Sequence, residues 1–313
     1  AWSQSIFHAS SVLGTYLATA GTWLLGRQPL DYSFTFGNTT WLVSGWRLSF
    51  VLGVLPAVLI VWVRRSLREP EYWLHSRNEK SDQPTEPAAL TAWFTRPLLS
   101  RLLMGVGLAT VGLAMFWGTH IYGKDMLREA YKISYLATLP ADADADSKAT
   151  VLNEHAADIK NGEMLGMFLV TTGGGLGLVC FGPISERLGR RGAFLLFHMG
   201  GLIASLILFQ VLTGLRALLC FLPVFGFLTL AMHAGYAVYF PELFPTRWRG
   251  TGGGICFNGG RILAAPILFL GGWMQKDWGF SLGNAASLLA LLFLPGAILL
   301  LFAPETKGRD LPT

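Results

Sequence analysis

Long apolar stretches, separated by shorter polar segments, make up most of this chain. Eight of them are about 20 residues long and carry few or no charges. They cover residues 3–25, 46–64, 101–122, 163–183, 193–212, 215–240, 251–274 and 281–303. A helix of this length crosses the roughly 30 Å hydrocarbon core of a bilayer and satisfies its own backbone hydrogen bonds there. One such stretch could be a core helix of a soluble protein, but eight could not. The pattern therefore predicts an all-α polytopic membrane protein.

The basic residues between these stretches fall mainly in every second connection. Connections rich in Lys and Arg stay in the cytoplasm. The alternation therefore predicts that segment 65–100 and the C-terminus are cytoplasmic, and that 26–45 and 123–162 lie outside. The chain then divides into residues 1–64 with two helices, the linker 65–100, residues 101–303 with six helices, and a tail, 304–313.

Composition excludes several other classes of protein. Only 14% of the residues are charged and 52% are hydrophobic, whereas a soluble domain is about a quarter charged. The net charge of +5 could suggest nucleic acid. Orientation in the membrane explains it better, because the basic residues lie in alternate connections. The three cysteines show no metal-ligand spacing. We therefore expect no nucleic-acid partner, no metal and no other cofactor.

One short motif could suggest an enzyme. Segment 279–283 fits the Gly-x-Ser-x-Gly pattern of serine hydrolases. It lies between two membrane stretches, however, and not in the turn between a strand and a helix where that pattern positions a nucleophile. No His-Glu-x-x-His zinc motif occurs in the sequence. We expect that the protein is not an enzyme.

Three short motifs follow apolar stretches. The first is the basic turn 182–191, with the sequence GPISERLGRR. The second, 241–250, reads PELFPTRWRG, and the third, 304–308, reads PETKG. In this order and spacing the motifs resemble those of the major facilitator superfamily, in particular its sugar porters and its organic acid (carboxylate):H+ symporters. Glu186 stands where that family has Asp.

The resemblance implies a twelve-helix transporter that works by alternating access. The eight predicted helices would be helices 5–12, and the first four would be lacking. Residues 1–64 would hold the last two helices of the N-terminal bundle, 65–100 the linker between bundles, and 101–303 the C-terminal six-helix bundle.

The same resemblance assigns a gating role to the basic turn, which clamps the cytoplasmic ends of helices in the family. Gly189 permits the tight turn. Glu186 could pair with a nearby arginine or cap the following helix. Glu242 faces Arg247 and Arg249 across a short turn, so we expect ion pairs there. The predicted gating residues are Glu186, Arg187, Gly189, Arg190, Arg191, Glu242, Arg247 and Arg249.

Polar residues inside apolar stretches are the candidates for a substrate site. Arg261 lies about ten residues into its stretch, close to the bilayer midplane at roughly 1.5 Å per residue. A guanidinium at that depth is costly without a partner. It could hold a carboxylate substrate, or pair with an acidic side chain. Asn258 lies one helical turn before it.

Histidines and aromatic residues are the other candidates. His233 and Tyr236 share a helix face, and His233 could relay protons or be structural. Further candidates on other stretches are Trp117, His120, Gln4 and His8. Trp117 could line a cavity or simply mark the membrane interface.

The resemblance implies secondary active transport of a small polar solute, either a sugar or an organic acid. The coupling ion would be H+. The protein would be a monomer in the lipid bilayer of the plasma (inner) membrane, with its C-terminus in the cytoplasm. The alternative is a non-transporting nutrient sensor or an inactive truncated transporter.

Overall fold

The structure, a computed structural model, describes residues 1–25, 32–36, 39–66, 93 and 95–312. The predicted linker falls mostly outside these residues. The helices are α1 Trp2–Ala9, α2 Ser11–Leu25, α3 Gly45–Leu52, α4 Leu55–Ser66, α5 Arg96–Leu136, α6 Ala145–Glu154, α7 Ala156–Leu206, α8 Leu215–Leu230, α9 Met232–Leu243, α10 Arg249–Asp277, α11 Leu282–Ala290 and α12 Phe293–Phe302. A π-helical turn, Ile207–Val211, continues α7. Two compact units emerge: Ala1–Tyr16 with Ser100–Thr313, and Leu17–Leu99.

Five helical segments of the described chain are long and apolar enough to cross a bilayer. They are Arg96–Leu136, Ala156–Val211, Leu215–Leu243, Arg249–Asp277 and Leu282–Phe302. The second contains two of the predicted stretches. They are separate helical spans, since the backbone at Gly189 between them is not helical (φ 81°, ψ 169°). The last six predicted stretches are therefore helical, which confirms the all-α polytopic membrane fold.

Each of the first two predicted stretches consists of a pair of shorter helices. The first breaks at Ser10, whose hydroxyl donates a hydrogen bond of 2.6 Å to the carbonyl of Phe7 and so competes with the helical backbone. The second breaks at residues 53–54, just before Pro56 at the start of α4. Proline lacks the N–H that a continuous helix would need at that position.

A β-hairpin interrupts the segment predicted as an outer loop, and the apolar pattern did not predict it. β1 (Tyr32–Phe36) pairs antiparallel with β2 (Thr39–Val43), with Tyr32 opposite Val43. Aromatic and β-branched residues dominate both strands, and these types favour a pleated strand over a helix. The short pattern of two strands was hidden between two much stronger helical signals.

Helix α5 runs past its predicted end at residue 122 to Leu136. At 1.5 Å per residue its 41 residues measure about 60 Å, roughly twice the hydrocarbon core. Two ion pairs lie on the extension: Lys132 with Glu129 at 2.7 Å, and Arg128 with Glu163 of α7 at 3.3 Å. The predicted outer loop is thus largely helical.

Glycines allow α7 and α8 to pack with their backbones almost in contact. A Cβ on Gly173 would overlap the carbonyl of Pro223, and one on Gly226 would overlap the carbonyl of Val170. Gly173 of α7 faces the backbone of α8, and Gly226 of α8 faces the backbone of α7. At each site the carbonyl of the opposite helix occupies the space that a side chain would need. Glycine thus mediates the close packing of these two helices, as small residues do in membranes.

Substitution of Gly226 by Ala should destabilise the bundle. The added methyl has no room beside the Val170 carbonyl, so the helices must separate, at a cost of roughly 1–3 kcal/mol. We expect a lower thermal unfolding midpoint for the detergent-solubilised protein. Gly272→Ala is the matched control, because a Cβ there meets nothing within 4 Å. Equal midpoints for the two variants would contradict the close contact.

Candidate functional site

The basic turn closes around Gly189 as the sequence suggests. Its positive φ of 81° is a conformation that glycine adopts without strain. A Cβ at this position would also lie 2.6 Å from a carboxylate oxygen of Glu305. The turn therefore needs glycine for two reasons: its backbone conformation and the approach of a carboxylate.

Arg190 forms the central ion pair of this end of the bundle. Its Nε donates to Glu242 Oε2 at 3.0 Å and its Nη2 to Glu242 Oε1 at 2.8 Å, a bidentate contact. Nη1 donates to the carbonyl and hydroxyl of Ser185, both at 3.3 Å. The residue is only 8% exposed, so these partners satisfy a guanidinium that is largely removed from solvent.

Glu305, just beyond α12, holds the backbone of the turn. Its two oxygens accept the N–H groups of Arg190 at 2.8 Å and Arg191 at 3.0 Å. The N–H groups of Thr306 and Lys307 donate to the same carboxylate. Burial alone would raise the pKa of Glu305, but these four N–H donors outweigh it and lower the pKa below its ordinary value of 4.5.

We call Arg190, Arg191, Glu242 and Glu305 the clamp. It joins the basic turn of α7 to the ends of α9 and α12. Arg191 completes it by donating from Nε to the carbonyl of Leu300 at 2.9 Å. Segments that are far apart in the sequence thus meet in one network of hydrogen bonds.

The expected ion pairs of Glu242 with Arg247 and Arg249 were wrong. Glu242 pairs with Arg190 instead, because the bidentate fork of Arg190 reaches it from the neighbouring helix. Arg249 donates to the carbonyls of Pro241 at 3.0 Å and Pro312 at 3.2 Å. Arg247 lies over the ring of Trp248, with 5.5 Å between its Cζ and the ring centroid.

The remaining predicted gating residues lie at the edge of the clamp. The side chain of Glu186 is 57% exposed. Within the described part of the chain it forms neither the arginine ion pair nor the helix cap suggested by the sequence. The carbonyl of Arg187 accepts a hydrogen bond of 3.0 Å from Lys307 Nζ.

A second group of polar residues lies in the middle of the membrane helices. Arg261 is exposed on α10, and its Cζ lies 4.6 Å from the ring centroid of Phe257. Among the described residues no carboxylate forms an ion pair with it. Asn258 is also exposed, and its Nδ2 donates to the carbonyl of Gly254 at 2.9 Å.

His120 and His233 both contact the Phe116 ring, with centroid distances of 4.2 Å and 4.9 Å. Thr229 donates its hydroxyl proton to the carbonyl of Phe225, so His120 Nε2 is the donor in its 3.1 Å hydrogen bond to Thr229 Oγ1. Both histidines are buried.

His233 is bonded through one nitrogen. Its Nδ1 donates to the carbonyl of Leu230 at 3.2 Å. Its Nε2 is buried and has no hydrogen-bond partner in the described part of the chain. The ring of Tyr236 packs against it at 5.5 Å, and the Tyr236 hydroxyl donates to the carbonyl of Leu108 at 3.1 Å. We call Phe116, His120, His233, Tyr236, Phe257 and Arg261 the mid-membrane cluster.

The other predicted residues surround this cluster to different extents. Trp117 is 53% exposed and contacts Phe116 edge-on at 5.0 Å. His8 is half-buried on α1, a helix that packs against α9. Gln4 is exposed on the same helix.

Sequence reasoning missed several residues that complete these two groups. The sequence points to the 304–308 motif but assigns no role to Glu305 within it. Its position directly after the last helix was the available signal, because the basic turn also directly follows a membrane stretch. Thr306 donates its hydroxyl to Glu242 at 2.6 Å and was also missed. Phe116 and Phe257 gave no signal, because an aromatic residue in an apolar stretch does not stand out.

The helices, the clamp and the mid-membrane cluster together belong to a polytopic α-helical membrane protein. The sequence profile of the Sugar (and other) transporter family matches residues 154–313, about half of the chain. The chain belongs to this family, within the major facilitator superfamily.

Curated relatives are also transport proteins. The chain is 27% identical to the Cis,cis-muconate transport protein of Acinetobacter baylyi, over 96% of its own length and 71% of the relative. It is 26% identical to the Sialic acid transporter NanX of Escherichia coli, over 86% and 57%. It is 26% identical to a Putative metabolite transport protein of Haemophilus influenzae, over 85% and 60%. The chain thus spans little more than half the length of the last two.

The lowered pKa of Glu305 predicts a pH-dependent contribution to stability. Its contribution is present above pH 4.5 and is lost as the pH falls through the lower pKa of the folded state. Glu305→Gln should therefore unfold at a lower temperature than wild type at pH 7, and the difference should shrink as the pH drops below 4.5. Thermal unfolding at a series of pH values measures this.

Glu129→Gln is the control for Glu305, because Glu129 is half exposed in its ion pair and such pairs contribute little. It should leave the unfolding midpoint nearly unchanged. A Glu305→Gln deficit that stays constant down to the lowest pH would mean that the charge of Glu305 is not what holds the turn.

Proposed function

We propose that the protein carries out secondary active transport of a small carboxylate-bearing solute, by alternating access and coupled to H+. The observation that carries this proposal is Arg261. Its guanidinium is exposed on the middle of a membrane helix and has no carboxylate partner among the described residues. A cation at membrane depth is costly and is usually part of a substrate or ion pathway.

The names of two relatives support an anion as substrate, since they mention sialic acid and cis,cis-muconate. Arginine suits this role because its planar fork binds a carboxylate through two hydrogen bonds. A neutral sugar would gain much less from a guanidinium. The carboxylate is therefore the part of the substrate that we assign to Arg261.

Alternating access requires one end of the molecule to close while the other opens. We assign the clamp to the cytoplasmic side, where its arginines follow the positive-inside rule. The clamp holds α7, α9 and α12 together as one body. α1 packs against α7 so closely that a Cβ on Gly182 would lie 2.8 Å from the Cα of Trp2. Separation at this contact is the movement that would open the cytoplasmic side.

His233 is the residue that we assign to proton coupling. Its Nδ1–H donates a hydrogen bond to the carbonyl of Leu230. The lone pair of Nε2, which has no partner among the described residues, can therefore accept a proton. An imidazole nitrogen with a free lone pair can take up and release a proton, which is the function that a proton carrier needs. Burial in this conformation would keep that proton from solvent until the helices move.

Substitution of Arg261 should impair substrate binding. We expect Arg261→Ala to raise KM for carboxylate uptake by roughly 10-fold to 100-fold, because the charge-assisted hydrogen bonds are lost. Arg261→Lys should recover part of the affinity, since it keeps the charge but not the fork. The measurement is uptake of sialic acid, cis,cis-muconate and a neutral sugar by proteoliposomes that contain the product of the full coding sequence.

Lys276→Ala is the control, because Lys276 is exposed in the last turn of the same helix. It should leave KM unchanged. Uptake of the sugar alone, with a KM that Arg261→Ala does not alter, would refute the assignment. Failure to transport any solute would favour the non-transporting sensor.

Substitution of His233 should uncouple transport from the proton gradient. In wild type, an inward proton gradient should accelerate uptake. In His233→Gln the gradient should no longer do so, while exchange of labelled for unlabelled substrate without a gradient persists. His155→Gln is the control, since His155 lies at the junction of α6 and α7 outside the cluster. Equal stimulation by the gradient in His233→Gln and wild type would exclude His233 as the proton carrier.

A further inference from the structure

The first two helices contact α7 at two separate sites. At the α1 site, which lies nearer the basic turn, a Cβ on Gly182 would be 2.8 Å from the Cα of Trp2 and 3.0 Å from the hydroxyl of Ser5. At the α2 site, a Cβ on Gly175 would be 3.8 Å from that of Val12. The α2 site thus leaves room for ordinary packing, whereas the α1 site leaves none.

A hydrogen bond completes the α2 site. Thr172 donates its hydroxyl proton to the carbonyl of Phe168, so Tyr16 is the donor in its 2.7 Å hydrogen bond to Thr172 Oγ1. The Tyr16 ring also packs against the ring of Phe168, with centroids 5.2 Å apart. Val12, one turn earlier on α2, is buried. The polar and the apolar groups of this site therefore both have partners on α7.

The α1 site contains a buried hydroxyl without such a partner. Ser5 is fully buried, and its Oγ has no hydrogen-bond partner among the described residues. A hydroxyl that is removed from water in this way destabilises the contact that buries it. If α1 moved away from α7, this hydroxyl could return to water. If α2 moved away, a formed hydrogen bond would be lost. The α1 site is therefore the easier of the two to open.

The helix breaks between the two sites. α1 ends at Ala9 and α2 begins at Ser11, and the hydroxyl of Ser10 donates to the carbonyl of Phe7. Such a bond offers the backbone an alternative to a continuous helix. The two segments can therefore move separately.

We infer that α1 is a hinged gate, which swings away from α7 about Ser10 while α2 stays fixed to α7 through Val12 and Tyr16. This inference rests on the proposed function, in which separation of α1 from Gly182 opens the cytoplasmic side. In a movement of rigid bundles, α1 and α2 would leave α7 together. The two sites distinguish these movements.

Single cysteines measure which site opens. The product of the full coding sequence, with Cys180, Cys220 and Cys256 replaced by Ala, is reconstituted into proteoliposomes. Ser5→Cys should react with N-ethylmaleimide about fivefold faster during uptake of sialic acid or cis,cis-muconate than without substrate, because the cycle populates the open state. Val12→Cys is the matched control, since this side chain is also buried. Its reaction should stay slow in both conditions.

A disulfide tests whether the α2 site must separate. The 3.8 Å between the Cβ of Val12 and a Cβ on Gly175 equals the mean Cβ separation in disulfides. The double variant Val12→Cys, Gly175→Cys should therefore form the bond on oxidation. It should retain most of the uptake rate that it shows when reduced, because a hinge at Ser10 does not require this site to open.

Stiffening the hinge should have the opposite effect. Ser10→Ala removes the competing hydroxyl and introduces the residue with the highest helix propensity. It should slow uptake severalfold and reduce the labelling of Ser5→Cys. Thr22→Ala is the control, because the Thr22 hydroxyl also donates to a carbonyl one turn earlier, that of Ala18, but within a helix that continues. It should change neither quantity.

Three results would overturn the inference. They are equal acceleration of labelling at Ser5→Cys and Val12→Cys, uptake that oxidation of the double variant abolishes and reduction restores, and wild-type uptake and labelling in Ser10→Ala. In each of these cases uptake by the reduced protein persists, so the proposed function stands. If the reduced protein takes up no carboxylate at all, the proposed function falls together with the inference.

Discussion

The pairing of Arg190 with Glu242 is the interaction on which one end of the helix bundle depends. A guanidinium that is 8% exposed needs partners for its donors, and Glu242 and Ser185 supply them. To reach them, the chain must turn sharply just before Arg190, and Gly189 permits that turn. Glu305 then accepts the backbone N–H groups that the turn exposes. Each element of the clamp therefore makes the next one possible.

The two polar groups of the protein differ in how completely their hydrogen bonds are used. In the clamp every carboxylate accepts several donors, and Thr306 even adds a hydroxyl to Glu242. Such a satisfied network favours one arrangement of the helices. Arg261 lies on an exposed helix face, with a ring behind it and no described carboxylate before it. The clamp is suited to hold the helix ends in a fixed arrangement, whereas Arg261 is suited to bind a ligand.

The sequence predicts the helices well because the bilayer imposes a direct physical requirement on length and apolarity. It does not predict their breaks, which depend on local competition such as the hydroxyl of Ser10. The basic turn could also be found, because charge and glycine are conspicuous between apolar stretches. The pairing of its Arg190 with Glu242 could not be predicted from the sequence. Arg247 and Arg249 are nearest to Glu242 in sequence, yet Arg190 binds it, because the packing of α7 against α9 decides which guanidinium arrives.

The same limit applies to the mid-membrane cluster, where hydrogen bonds decide which predicted residue can act. The Tyr236 hydroxyl donates a hydrogen bond to the carbonyl of Leu108, and His120 Nε2–H donates one to the hydroxyl of Thr229. These groups are engaged within the protein. His233 Nε2 and the guanidinium of Arg261 are not, among the described residues. One nitrogen with a free lone pair and one fixed cation are the two groups that our proposal requires, because a carboxylate that moves with a proton crosses the membrane without net charge.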